Sequence, residues 1–219
     1  MTTPTSKHAG LMDDIYKSQR HIYDVTRKYY LLGRDRLIDD LKPEPGQKVL
    51  EVGCGTGRNL VKAAKTYPEA EFYGFDISSE MLISAQNSVN KAELTSRVHL
   101  AQGDASNFST EKPFDISAFD RVFYSYTLSM IPPWEKAVHE GINVLSDDGR
   151  LHIVDFGEQE NLPGLFRHLL KKWLALFHVE SRKGLFPLVE KLDADPHLKI
   201  TKQMVYADYA RIITISKIT

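Results

Sequence analysis

The sequence predicts an α/β protein with a Rossmann-like, mostly parallel sheet that ends in an antiparallel hairpin and follows an N-terminal helical lid. Strand-like and helix-like runs alternate from residue 47 to residue 155, which is typical of parallel strands joined by right-handed helical crossovers. The last two strand-like runs, 198–206 and 209–217, are separated only by a short turn. Such a turn cannot hold a crossover, so these two strands must pair antiparallel.

Hydrophobic periodicity places the elements in order along the chain. A helical segment covers residues 12–41 with a break near Gly33, and the linker 43–46, rich in Pro and Gly, ends it. Two helices, 162–178 and 184–192, precede the hairpin. The other predicted strands are 47–52, 70–75, 97–101, 119–124 and 149–155, and the predicted helices between them are 57–66, 79–91 and 133–145.

One domain accounts for nearly the whole chain, since 219 residues fill one core well and are few for two. Residues 1–11 are predicted to be a flexible tail and residues 12–219 a single domain. Within that domain we expect a helical lid at 12–42, a cofactor-binding core at 47–155 and a substrate-side helical insertion at 160–192.

The composition argues against several classes of protein. No apolar run reaches the roughly 20 residues that cross a bilayer, and the first ten residues lack the apolar stretch of a secretory signal. The single cysteine, Cys54, excludes an internal disulfide and fits a reducing cytosol. No His, Cys or Asp cluster has the spacing of metal ligands, so we expect no metal. These features predict a cytoplasmic protein.

The net charge of −1 hides two basic segments. Residues 15–42 hold seven Lys and Arg against four Asp and Glu, and residues 162–191 hold six against two. Because nucleic-acid-binding domains are usually basic overall, we expect no nucleic-acid partner. The sequence gives no indication of the oligomeric state.

The run Glu51-Val-Gly-Cys-Gly-Thr-Gly57 lies between the first predicted strand and the helix that follows it. Its glycines let the chain turn sharply and let a ligand lie against bare backbone, as in nucleotide-binding α/β folds. Cys54 lies inside this turn, where a small side chain fits. A nucleophilic thiol would need an activating base beside it, so we expect a structural role for this cysteine.

Acidic and polar residues follow the next strands of the predicted sheet. Asp76 ends the second strand, nineteen residues after Gly57, where related folds place an acid that accepts hydrogen bonds from ribose hydroxyls. Asp76 could equally cap the helix that follows. Asp104 follows the third strand, and Phe123–Tyr126 ends the fourth. Because ligands of open α/β sheets bind at the carboxyl ends of the strands, these residues predict one site.

Three segments, Glu51–Gly57, Phe75–Met81 and Gln102–Asp104, resemble the first three motifs of class I S-adenosylmethionine-dependent methyltransferases. The resemblance covers residues 47–155 and implies S-adenosylmethionine as the cofactor. The GxGxG loop differs from the GxGxxG loop of dinucleotide-binding folds, and the terminal hairpin also separates the two. The cofactor-binding residues that the resemblance implies are Tyr16, Tyr30, Gly53, Cys54, Gly55, Asp76, Ile77, Met81, Asp104, Ala105, Tyr124 and Ser125.

The two basic segments are the candidates for substrate binding. Tyr16–Leu37 is dense in Tyr, whose rings attract cations, and in Arg, whose forked side chain holds carboxylates. Leu162–His178 has a broad apolar face with basic residues off it. Each could be an ordinary amphipathic helix packed on the sheet. The second could instead contact an anionic membrane or wall an apolar substrate channel.

Gln19–Arg36 and Trp173–Val179 together resemble the bacterial N-methyltransferases of betaine-lipid synthesis. That family methylates the amine of diacylglyceryl-homoserine three times, to the trimethylated betaine lipid. The resemblance implies a lipid substrate with an amino-acid headgroup, and a location at the inner face of the cytoplasmic membrane. It implies Arg27, Tyr29, Arg34, Trp173 and His178 as substrate-binding residues and Tyr23, Tyr126 and Asp155 as catalytic ones.

Methyl transfer is an in-line displacement at a carbon that the sulfonium activates, so the protein mainly aligns and desolvates the partners. An amine nucleophile releases a proton in each round, and the candidate bases are Asp155, His152, His178 and Tyr126. His152 could equally be a satisfied core histidine on a buried strand. Two other functions stay open: methylation of a soluble small amine or carboxylate, and a non-catalytic S-adenosylmethionine-binding module.

Overall fold

The computed structural model describes residues 30–175 and 181–218. Seven strands form one sheet, with helices packed on both of its faces. The strands are β1 (Lys48–Val52), β2 (Glu71–Asp76), β3 (Val98–Gln102), β4 (Phe119–Ser125), β5 (Leu145–Phe156), β6 (Leu198–Val205) and β7 (Ala210–Lys217). The helices are α1 (Arg34–Leu41), α2 (Arg58–Thr66), α3 (Ser79–Lys91), α4 (Glu111–Phe114), α5 (Trp134–Asn143), α6 (Gly164–Ala175) and α7 (Leu185–Leu192), with a 3₁₀ helix at Leu128–Met130.

The strand order is β3-β2-β1-β4-β5-β7-β6. Strands β1 to β5 run parallel to one another. Strand β7 is antiparallel to both β5 and β6. The predicted fold class, a mostly parallel sheet ending in an antiparallel hairpin, is therefore confirmed. The predicted N-terminal lid lies mainly in residues 1–29, outside the described part of the chain.

Strands buried on both faces need apolar residues at successive positions. In β1, Val49, Leu50 and Val52 are fully buried. Val49 belongs to the core cluster on one face of the sheet, together with Leu37 of α1, whereas Leu50 belongs to the cluster on the other face. The carboxyl ends of the parallel strands meet at one edge, between these two layers.

Several boundaries differ from the predicted ones. The break near Gly33 is present, since Gly33 has a φ of 86° and α1 begins at the next residue. The helix predicted for 133–145 ends at Asn143, and β5 begins at Leu145 rather than at residue 149. Leu145 is buried and pairs with Phe119 across an irregularity in the β4–β5 register, so packing extends this strand. The sequence patterns did not predict α4 or the 3₁₀ helix.

The helix predicted for 162–178 is observed as α6, and residues 176–180 lie outside the described ranges. Within residues 30–175 and 181–218, no helix has the length and apolar character needed to cross a bilayer.

Candidate active site

A cavity of about 850 Å³ opens at the carboxyl ends of the parallel strands. This volume lies in the range of about 300–1,000 Å³ that small-molecule sites occupy. Four chain segments, each following one of the strands β1 to β4, supply most of its wall, as the sequence predicted. The lining residues from these segments include Gly53, Cys54, Gly55, Asp76, Ile77, Gly103, Asp104, Ala105, Ser125, Tyr126 and Thr127.

The glycine turn forms one wall of the cavity. The amides of Gly53 and Cys54 donate to the carbonyl oxygen of Phe75, at 2.8 and 3.0 Å, which fastens the turn to the end of β2. Gly53 and Gly57 have φ angles of 73° and 75°, in the left-handed region that glycine tolerates. A Cβ on Gly57 would lie 3.1 Å from Ala85, so this glycine also lets α2 approach α3.

Asp76 organises the same turn from the end of β2. Its Oδ2 accepts a hydrogen bond from the Gly55 amide at 2.8 Å, and its Oδ1 accepts one from the Ser78 amide at 3.0 Å. The helix-capping role of this stretch falls to Ser78, whose side chain accepts from the Met81 amide. The carboxylate of Asp76 lines the cavity, 9 % exposed, beside backbone that a ligand can approach.

Asp104 shapes the wall that follows β3. Its Oδ1 accepts from the amide and the hydroxyl of Ser106, at 2.9 and 2.8 Å, which holds a tight turn after the strand. Ala105 and Ile77 line the cavity beside it. A Cβ on Gly103 would lie 3.1 Å from the Phe75 ring, so the wall is close-packed at this glycine.

Two buried polar atoms at the wall have no hydrogen-bond partner among the described residues. They are the Oε2 of Glu51 and the Oγ of Ser125. The Oε1 of Glu51 accepts from the side-chain amide of Asn59 at 2.8 Å. Buried polar groups are nearly always paired, so unpaired ones that line a cavity indicate a polar ligand.

Tyr126 and Arg34 line the cavity from two segments that are far apart in the sequence. Tyr126 follows β4 with a φ of 58°, an uncommon conformation for a residue with a Cβ. Its hydroxyl donates to the carbonyl oxygen of Leu32, 94 residues away. Burial raises the pKa of this hydroxyl well above its ordinary value, so it stays protonated. Arg34 is 9 % exposed, lines the cavity and lowers the pKa of Glu51 by its charge.

Several predicted residues lie away from the cavity. Successive strand residues face opposite sides of a sheet, and Tyr124 points into the core, where its hydroxyl donates to the carbonyl of Ala137. Met81 of α3 is buried. The backbone carbonyl oxygen of Tyr30 accepts a hydrogen bond from the hydroxyl of Tyr209. None of these side chains lines the cavity, so the proposed contact of Tyr124, Met81 and Tyr30 with the cofactor is not supported by their positions.

Asp155 is also behind the wall rather than in it. Its carboxylate is 1 % exposed and accepts from the amides of Ser129, at 3.0 Å, and Phe156, at 2.8 Å. Burial raises the pKa of this carboxyl to about 6, although the two amides lower it. Asp155 therefore fixes the 3₁₀ helix after β4 and does not reach the cavity as a base.

His152 is a core residue, as in the second of the two interpretations, but it is not fully satisfied, because its Nε2 has no hydrogen-bond partner among the described residues. It is 3 % exposed, and burial lowers its pKa to about 3, so the ring is neutral. Its Nδ1 lies 3.4 Å from the hydroxyl of Thr214. The remaining predicted residues, Tyr16, Tyr23, Arg27, Tyr29 and His178, fall outside the described ranges, as does the side chain of Trp173 in α6. Their roles stay predictions.

The loop after β4 also contributes to the cavity, and no sequence pattern predicted it. Residues Met130–Pro133 line the cavity, and Arg182 holds this loop from outside through the carbonyl oxygens of Leu128, Ser129 and Ile131, at 2.9 to 3.1 Å. Arg58 and Asn59, in the first turn of α2, were also missed. Their place directly after the glycine turn could have indicated them, whereas nothing local indicates the loop.

The comparison with protein families agrees with this site. A model described as a methyltransferase domain matches residues 43–206, which is most of the chain. The chain belongs to this methyltransferase domain family. The predictions of an S-adenosylmethionine-dependent methyltransferase domain and of S-adenosylmethionine as its cofactor are thereby confirmed.

Curated relatives are 28 % identical to the chain over the residues that align. A ubiquinone/menaquinone biosynthesis C-methyltransferase of Cereibacter sphaeroides is 28 % identical over 165 residues, covering 73 % of this chain and 64 % of that protein. A demethylmenaquinone methyltransferase of Desulfitobacterium hafniense is 28 % identical over 162 residues, covering 71 % and 62 %. The chain thus spans somewhat less than two thirds of the length of these relatives.

Solved structures resemble the fold at lower identity. A SAM-dependent methyltransferase from Aquifex aeolicus has a TM-score of 0.65 at 18 % identity, covering 99 % of this chain and 100 % of that one. A phosphoethanolamine N-methyltransferase of Haemonchus contortus, solved with phosphomonomethylethanolamine and S-adenosylhomocysteine, has a TM-score of 0.63 at 17 % identity, covering 85 % and 52 %. The [4+2]-cyclase SpnF has a TM-score of 0.65 at 18 % identity, covering 84 % and 80 %. At these identities the likeness establishes the fold alone.

The residues present in the domain fit S-adenosylmethionine. The unpaired atoms of Glu51 and Ser125, the bare backbone at Gly53 and the carboxylate of Asp76 are suited to a ligand with ammonium and ribose hydroxyl donors. Asp76 would hold the ribose, and the part of the cavity that Ile77 and Ala105 line would take the adenine. When bound, the cofactor supplies an activated methyl group.

Glu51 makes the stability of the free domain depend on pH. Burial raises the pKa of this carboxyl from about 4.5 to about 8, against the hydrogen bond from Asn59 and the charge of Arg34. The folded domain therefore keeps a proton that the unfolded chain releases. This contribution to stability is complete below the unfolded pKa and is lost as the pH rises toward about 8, with a slope of at most about 1.4 kcal/mol per unit.

Glu51→Gln is expected to remove this loss. Urea unfolding of the free protein at several pH values between about 7 and 8 measures it, because Asp155, whose pKa is about 6, is mostly ionised in that window. The exposed Glu69→Gln is the matched control and should follow the wild type. Parallel curves for Glu51→Gln and wild type would show that Glu51 is already ionised.

Proposed function

We propose that the protein is an S-adenosylmethionine-dependent N-methyltransferase that methylates the amine of diacylglyceryl-homoserine to the trimethylated betaine lipid. The resemblance of Gln19–Arg36 and Trp173–Val179 to the betaine-lipid N-methyltransferases suggests the substrate. Methyl transfer itself is supported by the family and by the fit of the cavity to the cofactor.

The observation that favours an amine is that the carboxylates among the described lining residues, Asp76 and Asp104, accept hydrogen bonds from the turns that they hold rather than standing ready as a base. These residues include no histidine. The hydroxyl of Tyr126 is protonated and bonded to the Leu32 carbonyl, and the unpaired oxygen of Glu51 would hold the cofactor rather than the acceptor. An amine can lose its proton to solvent before it attacks, whereas methylation at an aromatic carbon needs a proton taken from the ring system. The site therefore suits an amine.

Arg34 supports an acceptor that carries a carboxylate. Its guanidinium is almost wholly buried, lines the cavity and donates to the Leu31 carbonyl through Nε at 3.3 Å. A buried guanidinium binds carboxylates well because its forked donors match their two oxygens. The homoserine headgroup offers a carboxylate together with the amine that would receive the methyl group.

A second candidate is methylation at carbon on a quinone precursor, because the named activities of the curated relatives are of that kind. The named activity of the Haemonchus contortus structure, by contrast, is N-methylation of an amine. A soluble small amine or carboxylate is a further alternative. A non-catalytic module that binds the cofactor would show binding without turnover.

One assay separates these candidates. The purified protein is given S-adenosylmethionine with diacylglyceryl-homoserine in mixed micelles, with free homoserine, or with a demethylated quinol. Mass spectrometry should find one to three added methyl groups on the lipid amine only. Methylation of the quinol or of homoserine without the lipid product would overturn the proposal, and cofactor binding without any S-adenosylhomocysteine would favour the non-catalytic module.

Arg34→Gln is expected to raise KM for the carboxylate-bearing acceptor about tenfold or more, because one charge-assisted pair contributes roughly 1.5–3 kcal/mol. The affinity for S-adenosylmethionine should change much less. Steady-state kinetics and calorimetry measure the two quantities. Arg36→Gln, an exposed arginine on the same helix paired with Gln203, is the control. An equal loss in both quantities would assign Arg34 to the cofactor instead.

A further inference from the structure

The outer face of α6 exposes leucine side chains to solvent. Leu165 is 77 % exposed and Leu169 is 57 % exposed. Residues four apart lie on the same side of a helix, so the two leucines form one apolar stripe. His168 and Lys172, at the matching helical positions beside them, are exposed as well. We call these four residues, Leu165, His168, Leu169 and Lys172, the α6 outer face.

The side of α6 opposite to the outer face packs against the protein core. Leu162, ahead of the helix, and Leu170 within it are partly buried against the core cluster that contains Leu31 and Tyr126. Leu31 and Tyr126 also line the cavity. The helix is therefore held on the cluster that forms one cavity wall, and its exposed leucines are not needed for that packing.

The charged residues of α6 are all basic. Residues 161–175 contain Arg167, Lys171 and Lys172 and no Asp or Glu. A surface of this kind attracts an anionic partner, and basic residues near a membrane contribute about 1 kcal/mol each. Two leucines among cationic side chains are suited to the boundary between lipid headgroups and acyl chains.

Other exposed apolar side chains belong to segments next to the same cluster. Leu32, 37 % exposed, directly follows Leu31. Tyr206, 51 % exposed, follows β6 and lies against Gly33, where a Cβ would be 3.8 Å from its ring. Exposed apolar side chains therefore also occur outside α6, on segments next to this cluster.

We propose that the α6 outer face docks the protein on an anionic lipid surface, with Leu165 and Leu169 inserted at the headgroup level. Charge complementarity favours lipid over the other occupants, residues 1–29 of this chain or a second copy. Two leucines and a few basic residues give a weak, reversible attachment rather than permanent anchoring. Docking requires neither cofactor nor acceptor, so it can fail or hold independently of the proposed reaction.

Vesicle flotation tests the surface directly. The full chain is mixed with vesicles of phosphatidylcholine alone or with about one third phosphatidylglycerol. We expect binding to the anionic vesicles that weakens in high salt. Leu165→Asp with Leu169→Asp should reduce it at least tenfold, and Arg167→Gln with Lys172→Gln should reduce the preference for anionic lipid. The matched control is Ile83→Asp on α3, an isoleucine 56 % exposed, which should bind as the wild type does.

The outcomes separate the possible occupants of the face. Since both leucines are exposed, the double variant should keep its thermal midpoint, which shows that any lost binding is not unfolding. If the wild type ignores vesicles, or if the double variant binds them unchanged, the proposal is overturned. A wild type that sediments as a dimer and a double variant that sediments as a monomer, with no vesicle binding by either, would assign the face to a second copy.

Discussion

Gly53→Ala is expected to abolish measurable cofactor binding and to lower the free energy of unfolding by several kcal/mol. The backbone φ of Gly53 is 73°, and an added Cβ would lie 2.2 Å from Cγ2 of Thr127 and 3.0 Å from its Oγ1. A left-handed alanine costs about 1 kcal/mol, and the overlap must move either the turn or Thr127, which follows the end of β4. Urea unfolding and calorimetry with S-adenosylhomocysteine measure the two effects.

Gly46→Ala is the matched control for this change. Gly46 has a φ of 77°, but a Cβ there would meet nothing within 4 Å, so only the backbone cost applies. Gly53→Ala combined with Thr127→Ala should recover part of the stability, because the nearest remaining atom, the Thr127 Cβ, is 3.2 Å away. Equal destabilisation by Gly46→Ala and Gly53→Ala would show that the turn has room to adjust.

Asp76→Ala is expected to weaken binding of S-adenosylmethionine about 100-fold, or roughly 3 kcal/mol, since hydrogen bonds to a charged group contribute about 1.5–3 kcal/mol each. Part of the loss is indirect, because the amides of Gly55 and Ser78 lose their acceptor. Calorimetry measures the affinity, and 2′-deoxy or 3′-deoxy analogues, which each lack one ribose hydroxyl, should bind both proteins with a smaller difference.

Asp76→Asn separates the two contributions. The asparagine keeps one acceptor oxygen for the turn but carries no charge for a ribose hydroxyl, so its affinity should fall between those of wild type and alanine. Asp147→Ala, at an exposed position at the start of β5, is the control and should bind normally. An unchanged affinity of Asp76→Ala would remove Asp76 from the cofactor site.

The fold was predictable because its evidence is repetitive and local. Each strand of the parallel part is an apolar run bounded by turn residues, and the short turn at Ala207–Asp208 permits only a hairpin. The start of β5 was not predictable, because it depends on the pairing of Leu145 with Phe119 across an irregular ladder. Such a pairing depends on residues that are far apart in the sequence, and a local sequence pattern cannot predict it.

In the candidate site, too, residues with a local sequence signal could be predicted, whereas contacts between distant residues could not. The glycine turn, Asp76 and Asp104 were found because strand, turn and helix follow one another along the chain. The contact of Tyr126 with Leu32, and the loop that Arg182 holds, join residues more than 50 positions apart. Tyr124 and Asp155 were placed at the correct edge of the sheet, but the sequence did not show that their side chains point into the core.

The position of β7 between β5 and β6 has a consequence for synthesis of the protein. Residues 210–217 are made after β6, yet they occupy the slot that joins β6 to the rest of the sheet. Until they leave the ribosome, Arg150–Phe156 of β5 has an unpaired edge, and β6 has no neighbour to join. Unpaired strand edges invite association with other chains. The nascent chain is thus expected to stay open to chaperones, or to aggregation, until residues 210–217 have left the ribosome.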